Sequence, residues 1–187
     1  METQVHLIVA NENDVTPEQQ HDMLQLQIAC FADQVTKEEI EEDFNVSPIA
    51  RVLAYHQDTL VACAEVHKRE VEYEGQAVTV GGFGPCTSED FRGQGIATRV
   101  CKAAMNYLRD QGCDIAFLSV DTERETHPLY ERLGFKMLPH PFIYANVRGE
   151  RKESDGGMIV PLRSQKLFDQ VLNGNTKFAL TPETGYW

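Results

Sequence analysis

The middle third of the chain alternates between strand-like and helix-like patterns, and this order restricts the fold more than any other feature. Residues 77–87 are predicted to form a strand. Apolar residues then recur at helical spacing from Ile96 to Leu108, and this helix is predicted to end near Gly112. Residues 115–120 are a continuous apolar run of strand length, as expected for a strand covered on both faces. A strand, a helix and a second strand in this order predict a crossover unit and hence an α/β fold.

The N-terminal part is predicted to alternate in the same way. A strand at 5–10 precedes a helix that opens at Thr16 and Pro17, because proline is tolerated at the first helical position. Its apolar face is predicted to carry Leu24, Ile28 and Phe31. A capping-box pattern at 36–39 opens a short acidic helix that contains Ile40 and Phe44. Three strands with short connections then predict an antiparallel meander: 50–55, 60–73 and 77–87.

The C-terminal part adds a short helix from Pro128 to Gly134 and two late strands, at 142–147 and 158–162. A polar loop at 148–157 is predicted to join these strands. No repeat, low-complexity tract or linker interrupts the chain, so residues 1–187 are predicted to form a single domain. The fold prediction is a mixed central β-sheet with helices on both faces.

The formal net charge is -12, and it is concentrated in residues 1–50, where eleven acidic residues face only Lys37. This balance argues against non-specific nucleic-acid binding, which needs basic patches. It favours either a cationic partner or simple solubility. Five cysteines without a Cys-x-x-Cys pair favour reduced thiols in a cytoplasm. No apolar run is long enough to cross a membrane and the N-terminus lacks a signal pattern, so no membrane partner is expected.

The segment from Arg92 to Thr98 carries the strongest chemical signal. Gly93 and Gly95 let the backbone bend and approach a ligand closely, and the following helix directs its free amides into the same concavity. This arrangement predicts a phosphate cradle to which Arg92 adds a charge-assisted contact. The alternative is an ordinary strand-to-helix turn. The segment lacks the Gly-Lys-Ser/Thr of a nucleoside-triphosphate loop, and Thr98 stands where a dinucleotide fingerprint has glycine or alanine.

Two motifs resemble the GNAT superfamily of N-acetyltransferases: Arg92-x-x-Gly95-x-Ala97 and, downstream, residues 128–135 (PLYERLGF). The resemblance implies that acetyl-CoA is the co-substrate and that its pyrophosphate lies on the glycine loop, at Arg92, Gly93, Gln94, Gly95, Ile96, Ala97 and Thr98. It also implies that the pantetheine arm pairs with Pro85, Cys86 and Thr87. Tyr130 is then the acid that protonates the departing thiolate, although a tyrosine at such a position is also typical of a hydrophobic core.

The chain as a whole resembles the aminoglycoside 2'-N-acetyltransferases. The similar stretches are residues 30–32, 61–76 and 155–162, and the chain ends in Gly185-Tyr186-Trp187. This resemblance implies acceptor-binding roles for Asp33, Phe83, Asp155 and Trp187. The family has a catalytic glutamate where this chain has Phe83, an acid where it has Gly185, and an early aspartate where it has Gln34. Several substrate carboxylates are therefore absent from an otherwise similar chain.

An alkyl ammonium is deprotonated only about one time in ~2,500 at pH 7, so the reaction needs a base. The candidates are Glu65, Asp121 and the Trp187 carboxylate. Asp121 is preferred, since it follows an apolar strand at a predicted cleft. The six histidines show no metal-ligand spacing, and no metal is expected.

These features together predict an acetyl-CoA-dependent N-acetyltransferase acting on a primary amine of a small cationic acceptor, with an aminoglycoside as the leading idea. A peptide or protein amine acetyltransferase and a non-catalytic acyl-CoA-binding module are the alternatives. Asp33 and the acidic residues of 38–43 are expected to attract the acceptor. The oligomeric state stays open, with a homodimer as one arrangement.

Overall fold

The computed structural model describes residues 4–31, 46–121, 127–185 and 187. A seven-stranded sheet has the order β1-β2-β3-β4-β5-β9-β6, and a three-stranded sheet has the order β10-β7-β8. The strands are β1 His6–Asn11, β2 Ala50–His56, β3 Thr59–Tyr73, β4 Gln76–Thr87, β5 Ile115–Ser119, β6 Lys136–Met137, β7 Phe142–Ala145, β8 Arg151–Ser154, β9 Gly157–Pro161 and β10 Ala179–Thr184. The helices are α1 Pro17–Phe31, α2 Ile96–Asp110, α3 His127–Arg132 and α4 Gln165–Asn173, with single 3-10 turns at Glu12–Asp14 and Glu89–Phe91.

The pairing of the large sheet is mixed, as predicted. Strands β1 to β4 form an antiparallel meander, and the β3–β4 hairpin turns at Glu74 and Gly75, which both have positive φ. Two positive φ values in succession are typical of the turn that matches the twist of a hairpin. β4 and β5 are parallel because α2 crosses between them. The α/β prediction and the crossover unit are therefore confirmed.

The two faces of the large sheet carry different helices. Ala62, Ala64 and Phe83 point to one face, where they pack in a core with α2 and with Tyr130 of α3. Cys63 and Cys86 point to the opposite face and pack against Met23 and Leu26 of α1. On the same opposite face, further along the strands, α4 and the three-stranded sheet cover a second core. Because side chains alternate along a strand, each residue of β3 and β4 belongs to either the α2 face or the α1 face.

The predicted apolar face of α1 is wrong. Leu24 and Ile28 are each 53% exposed and Phe31 is 37% exposed, whereas Met23 and Leu26 are buried against β3. The helix has apolar residues on more than one side, so the sequence offers two candidate buried faces. The face that packs against the sheet is the one with Met23 and Leu26. Its start is better defined, since the Gln19 amide donates to Thr16 Oγ1 and the Thr16 amide donates to Gln19 Oε1.

The C-terminal part contains more structure than predicted. The segment 148–157 contains the strand β8, which pairs with β7, so the prediction of a loop over that whole segment is wrong. α4, β6 and β10 were not predicted, although Ser164 accepts from the Leu167 amide as an ordinary helix cap. The acidic helix expected at 36–44 lies outside the described residues. No helix in the described part of the chain is both long and apolar enough to span a membrane.

Candidate functional site

A gap between β4 and β5 is the central feature of the site. The two strands pair at three positions only, from Val80–Ile115 to Gly82–Phe117. β4 continues to Thr87 paired with β3 alone, so one edge of its last five residues faces the gap. Pro85 lies in this edge, where a residue without an N–H is tolerated. The last five residues of β4 therefore have one unpaired edge, and its pairing with a pantetheine arm stays a prediction.

The glycine loop lies between the end of β4 and α2. Gly93 and Gly95 have φ of 75° and 76°, and a Cβ placed on either would meet nothing within 4 Å. The first helical hydrogen bond runs from the Arg99 amide to the Gly95 carbonyl, so the amides of Ile96, Ala97 and Thr98 precede the helical ladder. Open space beside unpaired amides at a helix N-terminus fits a phosphate group.

Arg92 ties this loop to the strand edge. Its Nε donates to the Thr87 carbonyl over 3.2 Å, and its amide donates to the Glu89 carbonyl over 3.1 Å. The loop and the gap are thus parts of one continuous surface. Gln94 is also anchored, since its Nε2 donates to the Asp90 carbonyl. The loop geometry is therefore fixed by local hydrogen bonds.

Tyr130 lies on α3 at the α2 face. It is 9% exposed and packs edge-to-face against Phe135, with ring centroids 5.8 Å apart. Burial, with a smaller contribution from Cys101, raises the pKa of the Tyr130 phenol well above its ordinary value. The phenol therefore keeps its proton at neutral pH, which is the state that a proton donor requires. The same surroundings would also suit a structural tyrosine, so the catalytic role stays a prediction.

Trp187 covers the point where β4 and β5 separate. A side chain at Gly82 would overlap the indole ring, so the ring lies directly on this glycine. The indole Nε1 donates to the carbonyl of Phe117, the last β5 residue paired with β4, over 3.0 Å. His67 stacks on the indole at 5.5 Å with the planes 6° apart, and the Arg69 guanidinium carbon lies 4.7 Å from the ring centroid. These contacts therefore hold the Trp187 ring in a fixed position on the α1 face of the sheet.

Arg69 holds the segment that leads to Trp187. It is 3% exposed, and its Nη1 donates to the carbonyls of Leu180 and Gly185 over 2.8 and 2.9 Å. Burial lowers the pKa of Arg69, and nearby Glu183 opposes this effect. Arg69 and His67 were not predicted as site residues. In the sequence, polar residues stand at alternate positions of β3 between Cys63 and Val71. Because both of these end residues are buried, the alternation could have indicated polar side chains on a buried face.

Glu65 lies beside an open position on the same face. It pairs directly with Gly84 across the β3–β4 ladder, and a Cβ on Gly84 would meet nothing within 4 Å. Glu65 forms an ion pair with Arg51 at 3.1 Å, and Arg51 also makes a two-pronged contact with Glu12 at 2.7 and 2.9 Å. Burial is the main cause that raises the pKa of Glu65, while Arg51 and a hydrogen bond from Gln27 oppose it.

His67 is the other titratable group beside Glu65. Burial lowers the pKa of His67 to about 4, with Arg69 and Arg51 lowering it further and a backbone hydrogen bond at Ser47 opposing this. His67 is therefore neutral at pH 7. Its Nε2 lies 3.9 Å from the Glu65 carboxylate, and its Nδ1 is buried without a hydrogen-bond partner.

The structure separates the remaining predicted site residues. Phe83 is 1% exposed and packs edge-to-face on Phe135, so its side chain lies in the α2-face core and only its backbone faces the gap. Cys86 is buried with its Sγ 3.3 Å from Cys63 Sγ, and this contact and burial raise the pKa of its thiol. Asp121 and Asp155 are both exposed. They lie near each other, because the Val120 amide donates to the Gly156 carbonyl over 2.9 Å.

Two predictions concern other parts of the chain. Asp33 and the acidic residues of 38–43 lie outside the described residues, so their predicted acceptor role stays a prediction. Among the residues that the structure describes, no group of three or more histidine, cysteine or acidic side chains is arranged to hold a metal ion.

Comparisons with known proteins agree with this geometry. A profile described as the Acetyltransferase (GNAT) family matches residues 20–135. No curated protein sequence matches the chain. A GCN5-related N-acetyltransferase from Kribbella flavida has a TM-score of 0.57 at 18% identity over 76% of this chain, which spans only 36% of that protein's length.

Two further solved structures have the same fold at low sequence identity. The ribosomal-protein-S18-alanine N-acetyltransferase from Escherichia coli has a TM-score of 0.56 at 14% identity, over 92% of this chain and 100% of that protein. An aminoglycoside acetyltransferase, meta-AAC0020, from an uncultured soil metagenomic sample was crystallised with trehalose. It has a TM-score of 0.52 at 15% identity, over 69% of this chain and 86% of that protein.

Proposed function

Because the chain belongs to the GNAT family of acetyltransferases, we propose that residues 1–187 form one acetyltransferase domain that acetylates a primary amine of a small cationic acceptor. The observation that carries this proposal is the gap between β4 and β5. Its open end meets the glycine loop, and Gly84, two residues from its closed end at Gly82, leaves open space on the α1 face. A donor and an acceptor can therefore approach each other across β4 from opposite faces of the sheet.

The cofactor side is formed by backbone groups. The loop from Arg92 to Thr98 binds the pyrophosphate through its amides, and the β4 edge at 85–87 pairs with the pantetheine arm. Acetyl-CoA, when bound, supplies the acetyl group as a thioester. Tyr130 donates its phenolic proton to the sulfur that leaves; burial raises the pKa of the phenol, so the phenol is protonated before the transfer.

The acceptor side is proposed to favour a cationic amine. The formal net charge of -12, concentrated in residues 1–50, draws a cation toward the protein. Asp33, Asp155, Trp187 and the backbone of Phe83 are the proposed acceptor contacts, and the base is one of the candidate carboxylates, Asp121 or Glu65. An aminoglycoside is one candidate acceptor, and an aminoglycoside acetyltransferase is among the solved structures with this fold. We place the reaction in the cytoplasm, where five free thiols stay reduced.

A peptide or protein amine is the second candidate. The ribosomal-protein-S18-alanine N-acetyltransferase aligns with 92% of this chain. The exposed Leu24, Ile28 and Phe31 on α1 would give a peptide an apolar surface that a small polar amine does not need. The two candidates therefore differ in whether α1 contributes to the acceptor KM.

Thiol release from acetyl-CoA, measured with aminoglycosides, polyamines and N-terminal peptides, tests the proposal. Turnover with a small polyamine or aminoglycoside, at a kcat/KM at least tenfold above that of the peptides, is the expected result. The reverse ranking would favour the peptide acceptor. Measurable CoA binding by calorimetry with no release for any amine would contradict the enzyme and favour a binding module.

A further inference from the structure

The open position over Gly84 lies beside Glu65, one of the three candidate bases. We propose that Glu65 binds the acceptor ammonium in this space and takes its proton. The inference rests on the proposed acetyltransfer and names the proton acceptor for it. The site also requires that the reacting nitrogen of the acceptor belong to a small ammonium group with a single positive charge.

The geometry places Glu65 at the gap. Glu65 and Gly84 are directly opposite each other on neighbouring strands, and their Cβ positions share the α1 face. Directly opposite positions lie about 5 Å apart, so a group placed over Gly84 is within contact of the Glu65 carboxylate. Two neighbours along β4 limit this space. The Gly82 position is covered by Trp187, and Cys86 is buried under α1.

The charges around Glu65 are unbalanced. Arg51 of β2 lies between two carboxylates: it donates two hydrogen bonds to Glu12 and forms an ion pair with Glu65 at 3.1 Å. His67 of β3 is neutral at pH 7, and Gln27 of α1 carries no charge. Among the described residues, the three paired groups Glu12, Arg51 and Glu65 together carry one net negative charge. An ammonium group over Gly84 would balance it.

The proton step follows from the same surroundings. An N–H bond of the ammonium breaks, its electron pair stays on nitrogen, and an O–H bond forms on the Glu65 carboxylate. Glu65 faces the open space over Gly84, and burial raises the pKa of its carboxyl, which favours uptake of the proton. The neutral nitrogen is then the nucleophile. Arg51 keeps the carboxylate ionised in the absence of the amine, and Glu65 afterwards returns its proton to solvent.

The first test compares two glutamines on the same strand. Glu65→Gln keeps the size of the side chain and removes the base. It should lower kcat/KM for the best amine at least 100-fold at pH 7, and the loss should shrink as the pH approaches the pKa of the amine. Glu70→Gln is the matched control, since Glu70 is an exposed residue of β3, and it should change kcat/KM less than twofold. An effect of Glu65→Gln below threefold, in a variant with wild-type melting temperature, would overturn the inference.

The second test does not need turnover. The Glu65 carboxyl carbon is followed by NMR across a pH titration, with and without n-butylamine as the probe. The ammonium should lower the pKa of Glu65 in the wild-type protein. It should have no effect in Gly84→Leu, whose side chain fills the open space without meeting other atoms at its Cβ.

The two proposals can fail separately. An amine-dependent pKa change in a protein that releases no thiol would retain the ammonium site and reject the acetyltransferase. Thiol release from a protein whose Glu65 does not respond to the amine would retain the enzyme and reject Glu65.

Discussion

The two sides of β4 are built in different ways. On the cofactor side, the groups that would bind acetyl-CoA are mainly backbone amides and an unpaired strand edge within the segment from Phe83 to Thr98, and Tyr130 is the proposed side chain from outside it. On the acceptor side, the ligand would meet side chains that come from separate elements: Glu65 and His67 from β3, Arg51 from β2, and Trp187 from the far end of the chain. A local backbone site can be recognised as a short motif. A site assembled from distant side chains can change its acceptor without disturbing that motif.

This difference predicts that the two sides respond separately to substitution. Changes on the cofactor side should alter acetyl-CoA binding or the chemical step and leave the acceptor-side structure intact. Changes around Trp187 should alter the acceptor side and leave acetyl-CoA affinity intact. The following substitutions test that separation.

The largest effect is expected for Tyr130→Phe. Loss of a general acid typically lowers the rate by 10²-fold or more, and we expect kcat to fall on the order of 100-fold. The ring still packs on Phe135, so the melting temperature and the Kd of CoA should change little. Steady-state kinetics and calorimetry measure both quantities. An unchanged kcat would show that Tyr130 is a core residue only.

The contrast between local backbone groups and distant side chains also explains how much of each side could be predicted from the sequence. The Arg92–Thr98 loop, α2 and β5 were predictable because glycine spacing and apolar periodicity act over a few residues. The position of Trp187 over Gly82 was not, since no local pattern indicates which glycine a distant indole will cover. The Phe83 side chain illustrates the same limit. Strand alternation sends it to the core, and Gly84, one residue later, opens the α1 face to Glu65.

The next effect is a loss of stability in acid that comes from His67. Its folded pKa, about 4, lies below the unfolded value of 6.5, so the unfolded chain binds a proton more readily. Above pH 6.5 the protonation of His67 does not reduce the free energy of unfolding. As the pH falls from 6.5 toward 4, protonation in the unfolded chain reduces that free energy by about 3 kcal/mol at most. Urea unfolding at pH 7, 6 and 5 should show this slope in the wild type.

Replacement of the His67 imidazole separates its contribution to the pH dependence of unfolding from that of the other titratable groups. His67→Gln should flatten the pH dependence of the unfolding free energy between pH 6.5 and 4. His21→Gln removes an exposed histidine on α1 and serves as the control, with the wild-type slope. Equal slopes in all three proteins would contradict the buried neutral imidazole.

A smaller effect is expected for Gly82→Ala, because the new methyl group must displace the Trp187 ring. The variant loses the indole hydrogen bond to Phe117 and the contact with Arg69, about 2 kcal/mol together. Trp187 is the sole tryptophan, so intrinsic fluorescence reports on it alone. Emission should shift to longer wavelength while the Kd of CoA stays constant. Gly84→Ala adds the same methyl group into open space, and its emission should match the wild type.

The smallest effect is expected for Gly95→Ala, and it can be separated from backbone strain by a matched control. Alanine in the left-handed region costs about 1 kcal/mol, and Gly149 has nearly the same φ, 78° against 76°, in the loop between β7 and β8. Gly149→Ala should therefore lose the same stability as Gly95→Ala. Only Gly95→Ala should weaken acetyl-CoA binding, by about tenfold, because its methyl group enters the space beside the α2 amides. If both variants bind acetyl-CoA equally well, the loop does not hold the phosphates, and the cofactor side of β4 must be sought elsewhere along the gap.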